Sequence, residues 1–406
     1  MNVEELVRDS LREQAVEQAP AGPGFADRVL TARRRRRTRT LASVAAATAA
    51  VVAIAVAVPL LDSGKDDVRP AGLLDGSGTS AHPDQSPPRD LIAAGNVALA
   101  AYYTAEVVAQ TDDRGVNART YWLLDQRTGR YEKDDRWSFV AVAPGMKTAA
   151  VLERELPAHR IGLLDLTTGK VQRWIPVVPG VGGLAFSRDG QKLVATTYGE
   201  NPDLRKWVTS SDGEAAWMSS FGGQSSRTGF LVLDLAGGGG GMWNKVPAGR
   251  DINGREDFAF SRDGGLVYSR IVGERAGMQQ YYELGGDAVD APANERYLRW
   301  DVDARLSPDG TLAAGGLAKE VPDKSYSAIR DPRTGKEITK VRGGTLLAWV
   351  DDHRLIAWER TAGSELYRPQ LVLVTIGSDR TVPLSGVREQ NVDLSRQEWE
   401  PVFAER

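Results

Sequence analysis

The chain has 406 residues, and its 51 Lys+Arg against 54 Asp+Glu leave a formal net charge of −3 at pH 7. That balance excludes a broad basic surface of the kind that holds nucleic acid. The absence of cysteine excludes disulfides, thiol catalysis and Cys-ligated metals, and three histidines (His82, His159, His353) leave little for paired-His chemistry.

The charge is unevenly placed. Residues 1–40 hold nine Arg and six acids, residues 41–61 hold no charge, and the remainder is acidic. Val3, Leu6, Val7 and Leu11 fall at i, i+3, i+4 and i+8, an apolar stripe that predicts a short amphipathic helix. Such a stripe either docks a cytoplasmic partner or belongs to a small membrane-proximal helix with none. Pro20–Gly24 ends it, and a second short helix from Phe25 leads into Arg33–Arg37 and Arg39.

From Leu41 to Leu61 runs an uncharged stretch of 21 residues, nine of them Ala and five Val. At ~1.5 Å per residue a helix of this length covers a hydrocarbon core of ~30 Å. The arginines before it, with Asp62, Lys65, Asp66 and Asp67 after it, place the N-terminus in the cytoplasm and everything beyond Leu61 outside. A cleaved signal peptide is the competing reading. It requires a basic region of about forty residues containing its own helix, and its apolar stretch would normally be ~7–15 residues.

This layout resembles the N-terminal regions of actinobacterial membrane proteins of the anti-sigma-factor type. The forty Arg to eleven Lys, with abundant Ala, Gly and Val, suit the GC-rich coding of that group. The resemblance covers about 60 residues and implies a cytoplasmic regulator such as a sigma factor as partner; the zinc-binding His/Cys motif of the zinc-containing class is missing. Beyond the apolar stretch, Asp62–Arg89 contains four Pro, four Gly and few large apolar residues, which predicts a flexible stalk.

Internal repeats dominate the rest. Leu184–Gly190, Phe258–Gly264 and Ala304–Gly310 each read as a short apolar strand ending in Ser-x-Asp-Gly, followed by another apolar strand. The turn residues are Ser187, Asp189 and Gly190; Ser261, Asp263 and Gly264; and Ser307, Asp309 and Gly310. Asp-Gly between apolar runs signals a hairpin, because Gly accepts positive φ and Asp bonds its own turn. A second marker, Asp-x-x-Thr-Gly, closes strands at Asp125–Gly129, Asp165–Gly169 and Asp331–Gly335, with a weaker copy at Asp234–Gly237. First strands near Val97, Phe139, Leu184, Phe258, Ala304 and Leu346 are spaced by 42, 45, 74, 46 and 42 residues. A period of about 40–45 with two hairpin turns is one four-stranded propeller blade. Six units are counted; a seventh fits if the 74-residue interval holds a further degenerate copy. The first unit lacks its leading strand, which Trp399–Phe403 can supply to close the ring.

The paired motifs look like those of bacterial WD40-like, TolB-like and quinoprotein-type β-propellers over residues 90–406, without the Gly-His and Trp-Asp dipeptides of true WD40 repeats. The expected fold is therefore all-β: a β-propeller over 90–406, preceded by a cytoplasmic helical segment (1–40), one transmembrane helix (41–61) and a stalk (62–89).

No catalytic template is met. Gly-x-Ser-x-Gly and His-Glu-x-x-His are absent, the glycine run Gly237–Gly241 is not followed by Lys-Ser/Thr, and Asp301, Asp303 and Asp309 do not space a calcium loop. No catalytic residue, cofactor or metal is expected. The turn motifs fix geometry, not chemistry. The insertion Gly199–Gly229 carries Trp207, Trp217, Met218 and Phe221 and is the candidate recognition loop, because long loops with exposed aromatics are typical of binding surfaces.

The expected function is a membrane-anchored extracytoplasmic binding, sensing or scaffold module for a protein or glycan ligand, signalling to a cytoplasmic regulator. The alternative is an envelope lyase or hydrolase built from channel-facing loops. Convergent carboxylates with an arginine in the channel favour the enzyme; a flat apolar mouth favours the binding module.

Overall fold

Short apolar runs bounded by Asp-Gly and Thr-Gly turns dictate strands. The computed structural model of the chain describes residues 78–209, 215–219, 226–237, 241–248, 255–271, 277–361, 368–389 and 396–406. These residues are all-β, with no helix. The expected cytoplasmic segment, the apolar stretch 41–61, Val3, Leu6, Val7, Leu11 and Phe221 lie outside the described residues. Among the described residues no helix is long and apolar enough to cross a membrane.

In chain order the strands are β1 (Ala93–Ala94), β2 (Val97–Ala109), β3 (Arg114–Asp125), β4 (Arg130–Asp134), β5 (Trp137–Val142), β6 (Thr148–Glu153), β7 (Ala158–Asp165), β8 (Lys170–Phe186) and β9 (Lys192–Tyr198). There follow β10 (Leu204–Thr209), β11 (Ala215–Ser219), β12 (Arg227–Asp234), β13 (Trp243–Lys245), β14 (Ala259–Phe260), β15 (Leu266–Arg270), β16 (Gln279–Glu283) and β17 (Ala288–Val289). The last are β18 (Ala313–Val321), β19 (Lys324–Arg330), β20 (Glu337–Arg342), β21 (Thr345–Trp349), β22 (Arg354–Arg360), β23 (Pro369–Thr375), β24 (Thr381–Val387) and β25 (Arg396–Glu405).

Pairing is antiparallel throughout. The C-terminal β25 pairs with β2, from Val97↔Glu405 to Glu106↔Arg396, and β2, β3 and β4 follow it in order. β5, β6 and β7 pair in sequence, and β8 serves two neighbours. Its Lys170–Pro176 half pairs with β7 and its Val181–Phe186 half with β9, which continues to β12 and β13. β14–β17 and β21–β24 form four-stranded sheets; β18–β20 form a third, to which Leu306 adds a bridge at Ala313.

Alternate residues of one strand enter different cores, as the period of two requires when both sheet faces are covered. On β9, Leu193 and Ala195 pack with Ile161 and Leu231, whereas Val194 packs with Phe230, Phe258 and Val267. On β22, Leu355 and Ala357 face one apolar cluster, Ile356 and Trp358 another. Between the β14–β17 and β18–β20 sheets the packing is polar instead: Tyr268, Tyr281, Glu295 and Arg305 meet there.

The turns form a closed circuit. Gly190 approaches Pro144, and Gly264 approaches Ser187. Arg262 donates to the Ser307 carbonyl, and the Asp309 N–H donates to Asp352. Val350 abuts Gly95, and the Gly145 N–H donates to the carbonyl of Glu405.

One expectation changes. Gly78–Arg89, read as the end of a stalk, is built into the domain. Ser80 bridges Ala93, the His82 N–H donates to Leu384, the Gly386 N–H donates to Gln85, and Trp399 Nε1 donates to Ser86 Oγ. Gln85 is buried and its Oε1 accepts from the Arg89 and Asp90 N–H groups. The long interval carries the hairpin β10–β11 between β9 and β12, both strands of another sheet.

Candidate binding sites

The β10–β11 hairpin leaves from the end of β9 remote from its Ser-x-Asp-Gly turn. It does not pack on its own sheet. It pairs with β3 through Leu204↔Val116, Arg205↔Gly115 and Lys206↔Arg114, and so continues the long β2–β3 hairpin sideways. Trp207 and Trp217 face each other across the hairpin, ring centroids 5.1 Å apart in an edge contact. Trp207 is 44% exposed, and Val108, Val208 and Met218 are exposed beside it. Gly115 makes room: a Cβ there would lie 3.2 Å from the Trp217 ring and 2.8 Å from Val107. The sequence brought these aromatics to notice but not where they go; Phe221 lies outside the described residues.

A buried ion cluster fixes the hairpin's root. Both Asp203 oxygens accept from Arg119, at 2.8 and 3.1 Å, and from Arg255, at 2.8 and 2.6 Å. Arg255 also donates to the Gly182 carbonyl and to Asp257, whose other oxygen accepts from the Tyr198 hydroxyl. Asp257 fits because residue 183 is glycine; a Cβ there would sit 2.0 Å from its Oδ1. Both guanidiniums lie over Phe139. Burial alone would raise the Asp203 carboxyl, but Arg255 and Arg119 hold it well below the usual carboxylate range. Arg205 nearby is pushed down by burial, and Arg119 and Arg255 add to the effect.

At the opposite end, the three Ser-x-Asp-Gly turns share one hydrogen-bond set. The serine Oγ donates to the aspartate (Ser187–Asp189 2.5 Å, Ser261–Asp263 2.6 Å, Ser307–Asp309 2.6 Å). It also accepts the N–H five residues on, from Lys192, Leu266 and Leu312. Gly190, Gly264 and Gly310 have φ of 70°, 68° and 78°, where a side chain would be strained. These residues are architectural.

The intervening residue of the turn is what sequence reasoning overlooked. Arg188 and Arg262 both line a cavity of about 350 Å³ at this end, with Glu295, Asp303, Arg305 and Glu405. Glu295 is spent: it accepts from the Arg262 N–H (2.8 Å), from Arg305 (2.8 Å), and lies 3.0 Å from the Tyr281 hydroxyl. Glu405 faces Arg188 at 3.8 Å. Asp303 lines the cavity; desolvation at the cavity wall pushes its carboxyl up, and Glu400 and Asp301 push it further. His159 and His353 are exposed. No group of three or more His, Asp or Glu suited to a metal occurs among the described residues.

No family model matches this chain, and no curated protein does. Among solved structures it is similar to TolB from Acinetobacter baumannii, at 14% identity over 70% of this chain and 65% of that one, TM-score 0.34. Kuenenia stuttgartiensis hydrazine synthase matches at 13% identity over 60% of this chain and 65% of that one, TM-score 0.33. A chain of the mitotic checkpoint complex matches at 12% identity, over 88% of this chain and 99% of that one, TM-score 0.37. The chain thus spans about two thirds of the first two structures it resembles.

Proposed function

We propose that this chain is a single-pass membrane protein whose extracytoplasmic part is a six-bladed β-propeller serving as a binding module. The six blades are β25-β2-β3-β4; β5-β6-β7 with the first half of β8; its second half with β9-β12-β13; β14–β17; Leu306 with β18–β20; and β21–β24. The closed circuit of turns supports this count, and the arginine run before Leu41 supports the topology. In this reading the stripe Val3, Leu6, Val7 and Leu11 docks a cytoplasmic regulator and carries the signal inward.

One observation carries the binding assignment: a tryptophan pair, Trp207 exposed and Trp217 partly so, on a hairpin whose root is held by a buried carboxylate bonded at both oxygens. Rigid aromatic anchors lose little entropy on contact and dominate recognition energetics. The cavity favours catalysis less than its composition suggests. It holds convergent carboxylates and arginines, but two-carboxylate chemistry needs two available groups. Glu295 and Glu405 are engaged, leaving Asp303.

A photo-crosslinking residue at Val208 in the full chain, in intact cells, is expected to yield a discrete adduct. Adding Trp207→Ala and Trp217→Ala should reduce it about tenfold or more. The same crosslinker at Ile338, which is 56% exposed on a different sheet, should give none. Equal adducts at both sites, or no effect of the tryptophan changes, would overturn the assignment.

A further inference from the structure

The cavity at the turn end has a charge arrangement that binding through the tryptophan hairpin does not use. Three arginines line it. Arg305 is neutralised by Glu295 at 2.8 Å. Arg188 has Glu405 at 3.8 Å, beyond hydrogen-bond distance, with both side chains more than 40% exposed. Arg262 donates to the backbone carbonyls of Ser307 and Pro308 and makes no ion pair among the described residues. Burial, and Arg188 beside it, push the Arg262 guanidinium below its ordinary range against the pull of Asp309, Glu295 and Glu405. Two like charges are therefore held together by neighbouring turns of different sheets. The fold gains the Arg262 bonds to the Ser307 and Pro308 carbonyls and the Arg188–Glu405 contact, and an anion placed between the two guanidiniums would offset the repulsion that remains.

The rest of the cavity suits such a guest. Phe186, Phe260, Leu347 and Phe403 give it apolar walls, which strengthen a charge contact at its mouth. Asp303 is the one carboxyl lining the cavity that has no hydrogen-bond or ion-pair partner among the described residues, and desolvation, Glu400 and Asp301 push it up. A volume of about 350 Å³ fits a small molecule and not a folded partner.

We propose that this cavity binds a small ligand through an oxyanion, a carboxylate or a phosphate group, clamped between Arg188 and Arg262. Guanidinium groups match both in a planar, two-point geometry. The site is separate from the tryptophan hairpin and stands or falls independently of it.

The test is calorimetric titration of the purified full chain in detergent with inorganic phosphate and, separately, succinate, at constant ionic strength. Saturable 1:1 binding of at least one is expected: phosphate alone assigns a phosphate ligand, succinate alone a carboxylate, both an unselective oxyanion clamp. Arg188→Ala should weaken binding about tenfold to hundredfold, the usual worth of a charge-assisted hydrogen bond. Arg262→Gln should do the same. Because Arg262 also holds the Ser307–Pro308 turn, Arg188→Ala decides the matter if Arg262→Gln fails to fold. Absence of binding by both anions, or undiminished binding by Arg188→Ala, would overturn the proposal.

Discussion

Replacing Asp203 with alanine is expected to destabilise the domain by about 3–5 kcal/mol, the usual cost of removing one partner from a buried ion pair. Its side chain is only 5% exposed, and both oxygens are taken by Arg119 and Arg255, which are themselves 10% and 17% exposed. Without it, two desolvated guanidiniums face each other over Phe139 with only Asp257 to compensate. Urea unfolding at pH 7 measures the loss. The same carboxyl sets a pH dependence of known sign. Its folded-state pKa is depressed, so its contribution is present in full above the unfolded value, roughly 4 for an aspartate, and is lost as the pH falls below that toward the folded value. Wild type should therefore lose stability between about pH 4 and pH 2 more steeply than Asp203→Ala. Parallel profiles for the two would show that the cluster does not hold the hairpin root.

Trp399→Ala is expected to cost about 3–5 kcal/mol, as large aromatic truncations in cores do. Trp399 is 2% exposed and lies edge-on to Tyr102 at 5.8 Å and Trp358 at 5.0 Å. Its indole N–H donates to Ser86. One side chain thus joins the C-terminal strand, the first repeat, the last repeat and the segment leading into the domain. Trp399→Phe should retain more than half of the stability by keeping the ring contacts. A Trp399→Ala protein with wild-type urea midpoint would mean that β25 does not close the structure.

What the sequence made legible follows from the range of the interactions involved. The Ser-x-Asp-Gly turns were readable because serine, aspartate and glycine act within five residues of one another. The pairing of Trp399–Phe403 with the first repeat was readable by counting, since that repeat lacked a strand. The destination of β10–β11 was not: Arg119, which holds Asp203 at the hairpin's root, is 84 residues away in sequence, and nothing local specifies the pairing with β3. Gly78–Arg89 was misread because low apolar content argues for a stalk, whereas backbone hydrogen bonds and the buried Gln85 amide hold it in place. The cavity arginines stood in plain view as the repeated Arg of Ser187-Arg188-Asp189 and Ser261-Arg262-Asp263. A turn motif draws attention to the residues that make the turn, and the intervening side chain, free to point elsewhere, is the one left to face the cavity.

The arrangement separates two surfaces along the strands. One end presents an aromatic hairpin, the other a charged cavity ringed by interlocked turns. A ligand clamped by Arg188 and Arg262 would bridge neighbouring sheets at the end remote from the hairpin.

The proposal that the binding module lies outside the cell has a direct test, because the native chain contains no cysteine. Asp112, exposed at the tip of the β2–β3 hairpin, can carry a single one. Treating intact cells that express Asp112→Cys with a membrane-impermeant maleimide is predicted to label the protein as fully as treating broken cells. Labelling that occurs only after the cells are broken would contradict an extracytoplasmic domain.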